Sequence, residues 1–108
     1  MNDPILSLLG MARRAGRVVL GANLAAQTVE RGKGYLVCAS SELSERTRRE
    51  LLRICEKGRV PLRILPYTIE ELSAAIGAAT GTVTITDENF AAGIGRKCDE
   101  QDKGGNGL

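Results

Sequence analysis

The sequence predicts an α/β domain in which a sheet carries helices on both of its faces. Two observations predict it. Stretches with helical periodicity and short β-branched runs alternate four times along the 108 residues. The run Tyr35 to Ala39 is nearly all apolar, as in a strand covered on both sides. A composition that is 43% hydrophobic and 26% charged is that of one globular unit, too short for a second core.

The elements follow in order. Asp3-Pro4 supplies an N-cap and a proline at the first helical position, and Ile5, Leu8, Leu9 and Ala12 form the apolar stripe. Gly16 closes this helix in the left-handed conformation. Arg17 to Leu20 reads as a strand broken by Gly21. A second helix runs from about Ala22 to Arg31, with Ala22, Ala25, Ala26 and Val29 inward and Leu24, Gln27, Thr28 and Arg31 outward. The strand Tyr35 to Ala39 leads to a helix capped by Ser44, with Leu51, Ile54 and Cys55 inward and a stop at Gly58. Leu62 to Leu65 is the third strand. Thr68 to Glu71 is a capping box, and Tyr67 and Leu72 are spaced as a hydrophobic staple. That helix ends near Gly77, Thr82 to Thr86 forms the last strand, and Asp87 caps a weaker helix through Phe90 and Ile94. Residues 1–98 are expected to form the domain, and 99–108, with three glycines, a tail without structure.

Catalysis finds little support. The chain has no His, so the commonest general base and metal ligand are both missing. Cys38, Cys55 and Cys98 form no C-x-x-C motif, and the first two fall on apolar faces; Cys98 is expected to be exposed near a fraying end. Gly10 and Gly16 lack P-loop spacing, and Gly93-Ile94-Gly95 lacks a preceding strand. Glu70-Glu71 is explained by its helix's first turn. Neither a metal nor a cofactor is expected. A cytoplasmic location is expected from the free thiols and the absence of a secretory signal or an apolar run long enough for a membrane.

Charge is more informative. Residues 1–63 carry +6 and residues 64–108 carry −4, within a total of +2. Arg13, Arg14 and Arg17 cluster without nearby carboxylates, and Arg31 and Lys33 follow the second helix. Such asymmetry is the footprint of a nucleic-acid binder. In the third helix, i,i+4 pairs Glu45–Arg49 and Arg46–Glu50 account for the charges as a solvated face. At Gly21-Ala22-Asn23 a strand meets a helix N-terminus, which offers unpaired N–H groups, and Asn23 either caps the helix or presents a donor and an acceptor to a base edge.

The ordered series Leu8-Leu9-Gly10-Met11-Ala12-Arg13-Arg14-Ala15-Gly16-Arg17, Gly21, Glu30-Arg31-Gly32-Lys33, Leu36-Val37-Cys38-Ala39-Ser40, Val60-Pro61, Glu71-Leu72 to Ile76-Gly77 and Thr86-Asp87 with Phe90-Ala91 resembles the ribosomal-protein family of kink-turn RNA binders typified by L7Ae and L30e, nearest its bacterial YlxQ-like branch. The resemblance spans about residues 5–97. It implies a three-layer α-β-α sandwich around a four-stranded mixed sheet, and RNA binding rather than catalysis. The family reads sheared G·A pairs through a Gly-x-Asn-Glu-x-x-Lys pattern at the start of the second helix. Gly21 and Asn23 match it, while Leu24 and Gln27 replace its glutamate and lysine. A second family contact corresponds to Ala79, Thr80 and Gly81. The expected partner is structured RNA, ribosomal RNA among the options, with no DNA and no membrane; Arg13, Arg14, Arg17, Arg31 and Lys33 are assigned to phosphates, and Gly21, Ala22, Asn23, Leu24 and Gln27 to the contact itself. The alternative is a protein-interaction module on the same fold, with ribosomal or other proteins as partners.

Overall fold

The computed structural model describes residues 3–106, with side chains described through residue 102. The chain order is α1 (Pro4–Arg14), β1 (Val18–Leu20), α2 (Ala22–Glu30), β2 (Leu36–Ser40), α3 (Glu45–Gly58), β3 (Leu62–Leu65), α4 (Ile69–Ile76), β4 (Thr82–Ile85) and α5 (Glu88–Asn106). The four strands form one sheet in the order β1-β4-β2-β3. β2 and β3 are parallel, with Val37 opposite Leu62, and β4 runs antiparallel to both β1 and β2. The sheet is therefore mixed. β1, β2 and β3 point one way and end where β4 begins.

Two apolar clusters cover its faces. Ile5 and Leu9 of α1, Leu72 and Ile76 of α4, and Ile94 of α5 pack with Leu36, Val83 and Ile85 on one face. Ala25 and Val29 of α2, with Leu51 and Cys55 of α3, pack on Val37 and Ala39 on the other. This is the three-layer α-β-α sandwich. Every side chain of β2 and β4 is buried, as a central pair in such a sandwich requires. α2 and α3 run side by side, and a methyl group at Gly58 would overlap Val29 Cγ1, so only glycine permits the approach.

Local signals set most helix starts. Asp3 accepts from the N–H groups of Ile5 and Leu6, at 2.9 and 3.1 Å. Thr68 and Glu71 complete the expected capping box, and Tyr67 and Leu72 are both buried in the core beneath it. Asp87 accepts from Phe90 N–H at 2.8 Å.

Three expectations need correction. β2 includes Ser40, a polar residue buried because its hydroxyl donates to Tyr67 O at 2.7 Å. Residues 99–106 continue α5 instead of forming an unstructured tail, and residues 107–108 lie outside the described residues. Asp99 anchors that extension by an ion pair with Arg63 of β3, which Asp102 joins at 3.7 Å. Cys98, expected to be exposed, is 4% exposed because this turn of α5 faces the core. No described helix is long and apolar enough to cross a membrane.

Candidate nucleic-acid interface

The start of α2 is built by a glycine. Gly21 is the N-cap, with φ +93° and ψ 157°, a conformation essentially restricted to glycine. Its N–H donates to Thr82 O at 2.9 Å, which fixes the helix start against the first residue of β4. No side chain caps α2, whereas Asp3, Ser44 and Thr68 cap α1, α3 and α4. Asn23 is thus not the cap. It lies one residue inside the helix, exposed, and its amide has no hydrogen-bond partner among the described residues. Leu24, 45% exposed, and Gln27 stand on the outward stripe; Ala22 is half-buried.

The loop between α4 and β4 lies beside this helix start. Within it Thr80 is 7% exposed, and its hydroxyl donates to Thr82 O at 2.7 Å. Thr80 N–H in turn donates to Ser73 Oγ at 2.9 Å. Thr80 is therefore an internal latch and not a surface contact, a correction to the sequence reading. Ala79 is exposed, and Gly81 is half-buried beneath Leu43, whose Cδ2 would lie 2.8 Å from an added Cβ. Thr82 O accepts from both Gly21 N–H and the Thr80 hydroxyl, so one carbonyl ties the loop to the start of α2.

Between α2 and α3 runs a groove of about 460 Å³ lined by Asn23, Ala26, Arg46, Thr47 and Glu50 among others. The expected Arg46–Glu50 pair is not formed. Glu50 pairs instead with Arg53 at 2.5 Å, while Arg49 pairs with Glu45 at 3.0 Å as expected. A hydrogen bond from Arg53, together with its charge, holds the Glu50 carboxyl below its usual range. Arg46 has no ion pair among the described residues and lines this groove together with Asn23. The sequence reading missed Arg46 because the i,i+4 rule supplied it with a partner that the i,i+3 residue Arg53 takes.

The remaining cations do not join this site. Arg17 precedes β1, and its carbonyl accepts from Thr86 N–H after β4. Arg31 and Lys33 follow α2, and Tyr35 N–H donates to Ile85 O. All of these, with Arg13 at the end of α1, lie at the opposite end of the sheet. Four residue steps along β1 at about 3.3 Å place Arg17 about 13 Å from Gly21. Arg14 turns aside over Gly10 in the groove between α1 and α4.

Other chemistry is poorly supplied. Among the described residues no group of three His, Cys, Asp or Glu is placed to hold a metal. Burial pushes the Cys38 and Cys98 thiols upward, and Cys55 up to about 11, so all three stay protonated at neutral pH and are poor nucleophiles. The carboxyl edge of the parallel pair, where an α/β sheet would hold a small molecule, is occupied by the Ser40–Tyr67 hydrogen bond and Leu43.

Comparison with known proteins agrees with this architecture. The chain is 30% identical over 89 residues to the RNA-binding protein YlxQ of Bacillus subtilis (strain 168), covering 78% of this chain and 84% of that protein. A solved structure of a protein of unknown function from Bacillus halodurans superposes with a TM-score of 0.87 at 27% identity, covering 91% of this chain and 99% of the other. The 15.5kD RNA binding protein of Giardia lamblia shares the fold with a TM-score of 0.73 at 20% identity, over 93% and 89% of the two chains. Residues 3–94 match the profile of one family along nearly the whole described domain, and the chain belongs to that family, the ribosomal protein L7Ae/L30e/S12e/Gadd45 family.

Proposed function

We propose that this protein binds structured RNA, without catalysing a reaction on it, through the start of α2, the adjoining exposed Ala79 and the Arg46 side of the α2–α3 groove. One observation carries the reading: an N-terminus with no side-chain cap presents the unengaged Asn23 amide, and the Gly21–Thr82 hydrogen bond holds both against a neighbouring loop. Helix N–H groups and the helix dipole suit a phosphate or a base acceptor, Asn23 suits a base edge, and Arg46 supplies charge. The Bacillus subtilis relative, named as an RNA-binding protein, supports the same reading.

The RNA is a folded one, ribosomal RNA included, met in the cytoplasm. Kink-turn recognition is altered. Leu24 accepts no hydrogen bond from guanine and Gln27 brings no charge to a phosphate, each a loss of about 1–3 kcal/mol of discrimination where such a contact would form. Leu24, with Ile69 and Ala79 also exposed at this end, favours a second reading, a protein partner on the same surface.

A gel-shift series with a G·A-containing kink-turn, a plain hairpin and a plain duplex separates the two. Saturable binding that prefers one folded RNA, weakens with salt, and loses its preference in Asn23→Ala supports the RNA reading. No saturable binding to any of the three rejects it in favour of the protein partner.

A further inference from the structure

The cations that the sheet separates from the α2 start form a surface of their own. Because β1, β2 and β3 are co-directional, α1, α2 and α3 all finish at the same end of the sheet. Arg13 lies in the last turn of α1, Arg31 caps α2, and Lys57 lies in the last turn of α3. Each is placed where a helix C-terminus welcomes positive charge, and the dipole alone accounts for it. Arg17 and Lys33 are different, because they lie past the C-caps, on the segments that lead into β1 and β2. Arg59, on the lead into β3, is the C-cap of α3 as Arg31 is of α2, and is set apart by its backbone.

Arg59 has φ +59° and ψ +40°, and no other non-glycine residue described has a positive φ. Glycine would hold that turn without the steric cost an arginine Cβ brings. None of these six cations has an ion-pair partner among the described residues. Glu30, Glu56, Asp87 and Glu88 share this end, leaving it net positive, and Asp87 is engaged in capping α5. In the strand order β1-β4-β2-β3, the leads into β1 and β3 are three strand spacings apart, about 14 Å. Tyr35, 42% exposed, stands among them at the lead into β2. A row of cations around one exposed aromatic ring fits a polynucleotide, whose phosphates take the charges and whose base or sugar takes the ring.

We infer that this end of the sheet is a second RNA surface, reading backbone and not sequence, so that the protein holds two RNA segments at once, one at each end. The inference rests on the proposed RNA function for the class of ligand, but not on the α2 site. The two surfaces face away from each other, so one short duplex cannot cover both, and a bridged pair of segments is the natural occupant.

The test uses the full chain, an immobilised G·A-containing kink-turn RNA and a labelled plain RNA duplex. Wild-type protein captured on the kink-turn should retain the duplex. The variant Arg17→Gln/Lys33→Gln/Arg59→Gln should stay on the kink-turn but lose duplex affinity by roughly 10²-fold at about 0.1 M salt, with a salt slope shallower by about 3. The variant Arg17→Lys/Lys33→Arg/Arg59→Lys should keep duplex affinity, which separates charge from folding. Unchanged duplex binding in the glutamine variant, loss in the charge-preserving variant, or one-for-one displacement of kink-turn by duplex overturns the inference. If no folded RNA is preferred but duplex binding still depends on the three cations, the α2 reading fails and the two-segment bridge is overturned with it, while the cationic end remains an RNA surface.

Discussion

Gly21→Ala tests the geometry on which the candidate interface depends. The added methyl group meets no atom within 4 Å, so the substitution introduces no steric crowding. Its cost lies in the backbone, since φ +93° with ψ 157° is open almost only to glycine and costs other residues about 1–3 kcal/mol. Gly16→Ala is the matched control: it also has open space, but its φ of +72° lies where alanine loses only about 1–2 kcal/mol. For a chain of this size each kcal/mol moves the midpoint of thermal unfolding by about 4 °C. Gly21→Ala should therefore lower Tm by about 4–12 °C and Gly16→Ala by about 4–8 °C, read by circular dichroism. The two should differ more sharply in RNA binding. Relaxation of the Gly21 backbone displaces its N–H from Thr82 and shifts Asn23 away from the loop, whereas the Gly16 turn lies at the other end of β1. A gel shift with the preferred folded RNA should show roughly a tenfold loss for Gly21→Ala, the equivalent of one hydrogen bond at about 1.4 kcal/mol, and little change for Gly16→Ala. Equal loss in both variants, or wild-type binding by Gly21→Ala, would refute the assignment of the site to the start of α2.

Three further outcomes are expected. The double substitution Leu24→Glu/Gln27→Lys supplies an acceptor and a charge on the outward stripe of α2 and should tighten binding to a G·A-containing kink-turn relative to a plain hairpin by about 1–3 kcal/mol in a titration; an unchanged ratio would show that these positions do not face the RNA. The buried hydroxyl of Thr84 has no hydrogen-bond partner among the described residues, so Thr84→Val should stabilise the fold by about 1 kcal/mol in urea unfolding, and a loss of stability would reveal a partner. Burial raises the Cys55 thiol to about 11 and, with the Asp3 hydrogen bond, lifts the Tyr67 phenol above its ordinary value; the unfolded chain therefore releases these protons first, and stability should hold below about pH 9 and fall as pH rises toward 11. Cys55→Ala should flatten part of that decline, and an unchanged slope would place the thiol's titration elsewhere.

How much of this was legible in the sequence depends on the range of the interaction that sets each feature. The α4 capping box, the Asp3 cap and the glycine turn at Gly21 are written within a few residues, and all three form as their spacing predicts. The end of α5 is not local: Asp99 is held by Arg63, 36 residues away, so a glycine-rich stretch looked like a tail until β3 was placed beside it. Cys98 is buried for the same reason. Thr80 looked like a loop contact because nothing in its neighbourhood reveals that Ser73 and Thr82 turn it inward. Arg46 depended on a competition, two arginines for one glutamate, which the pairing rule alone decides wrongly.

The arrangement of charge follows from the wiring of the sheet. With β1, β2 and β3 co-directional, the helices that follow β1 and β2 both begin at one end, where their positive dipole ends add to Arg46. The same wiring sends the C-termini of α1, α2 and α3 to the other end, whose negative dipole ends attract basic residues for purely structural reasons. Composition therefore places a basic stretch near Arg13 and Arg31 whether or not RNA binds there. Arg17 and Lys33 lie past the helix caps and exceed what the dipoles require, and Arg59, a C-cap like Arg31, holds its place against its own backbone preference. It is this excess, and not the net charge of +2, that physically distinguishes a binding surface from well-capped helices.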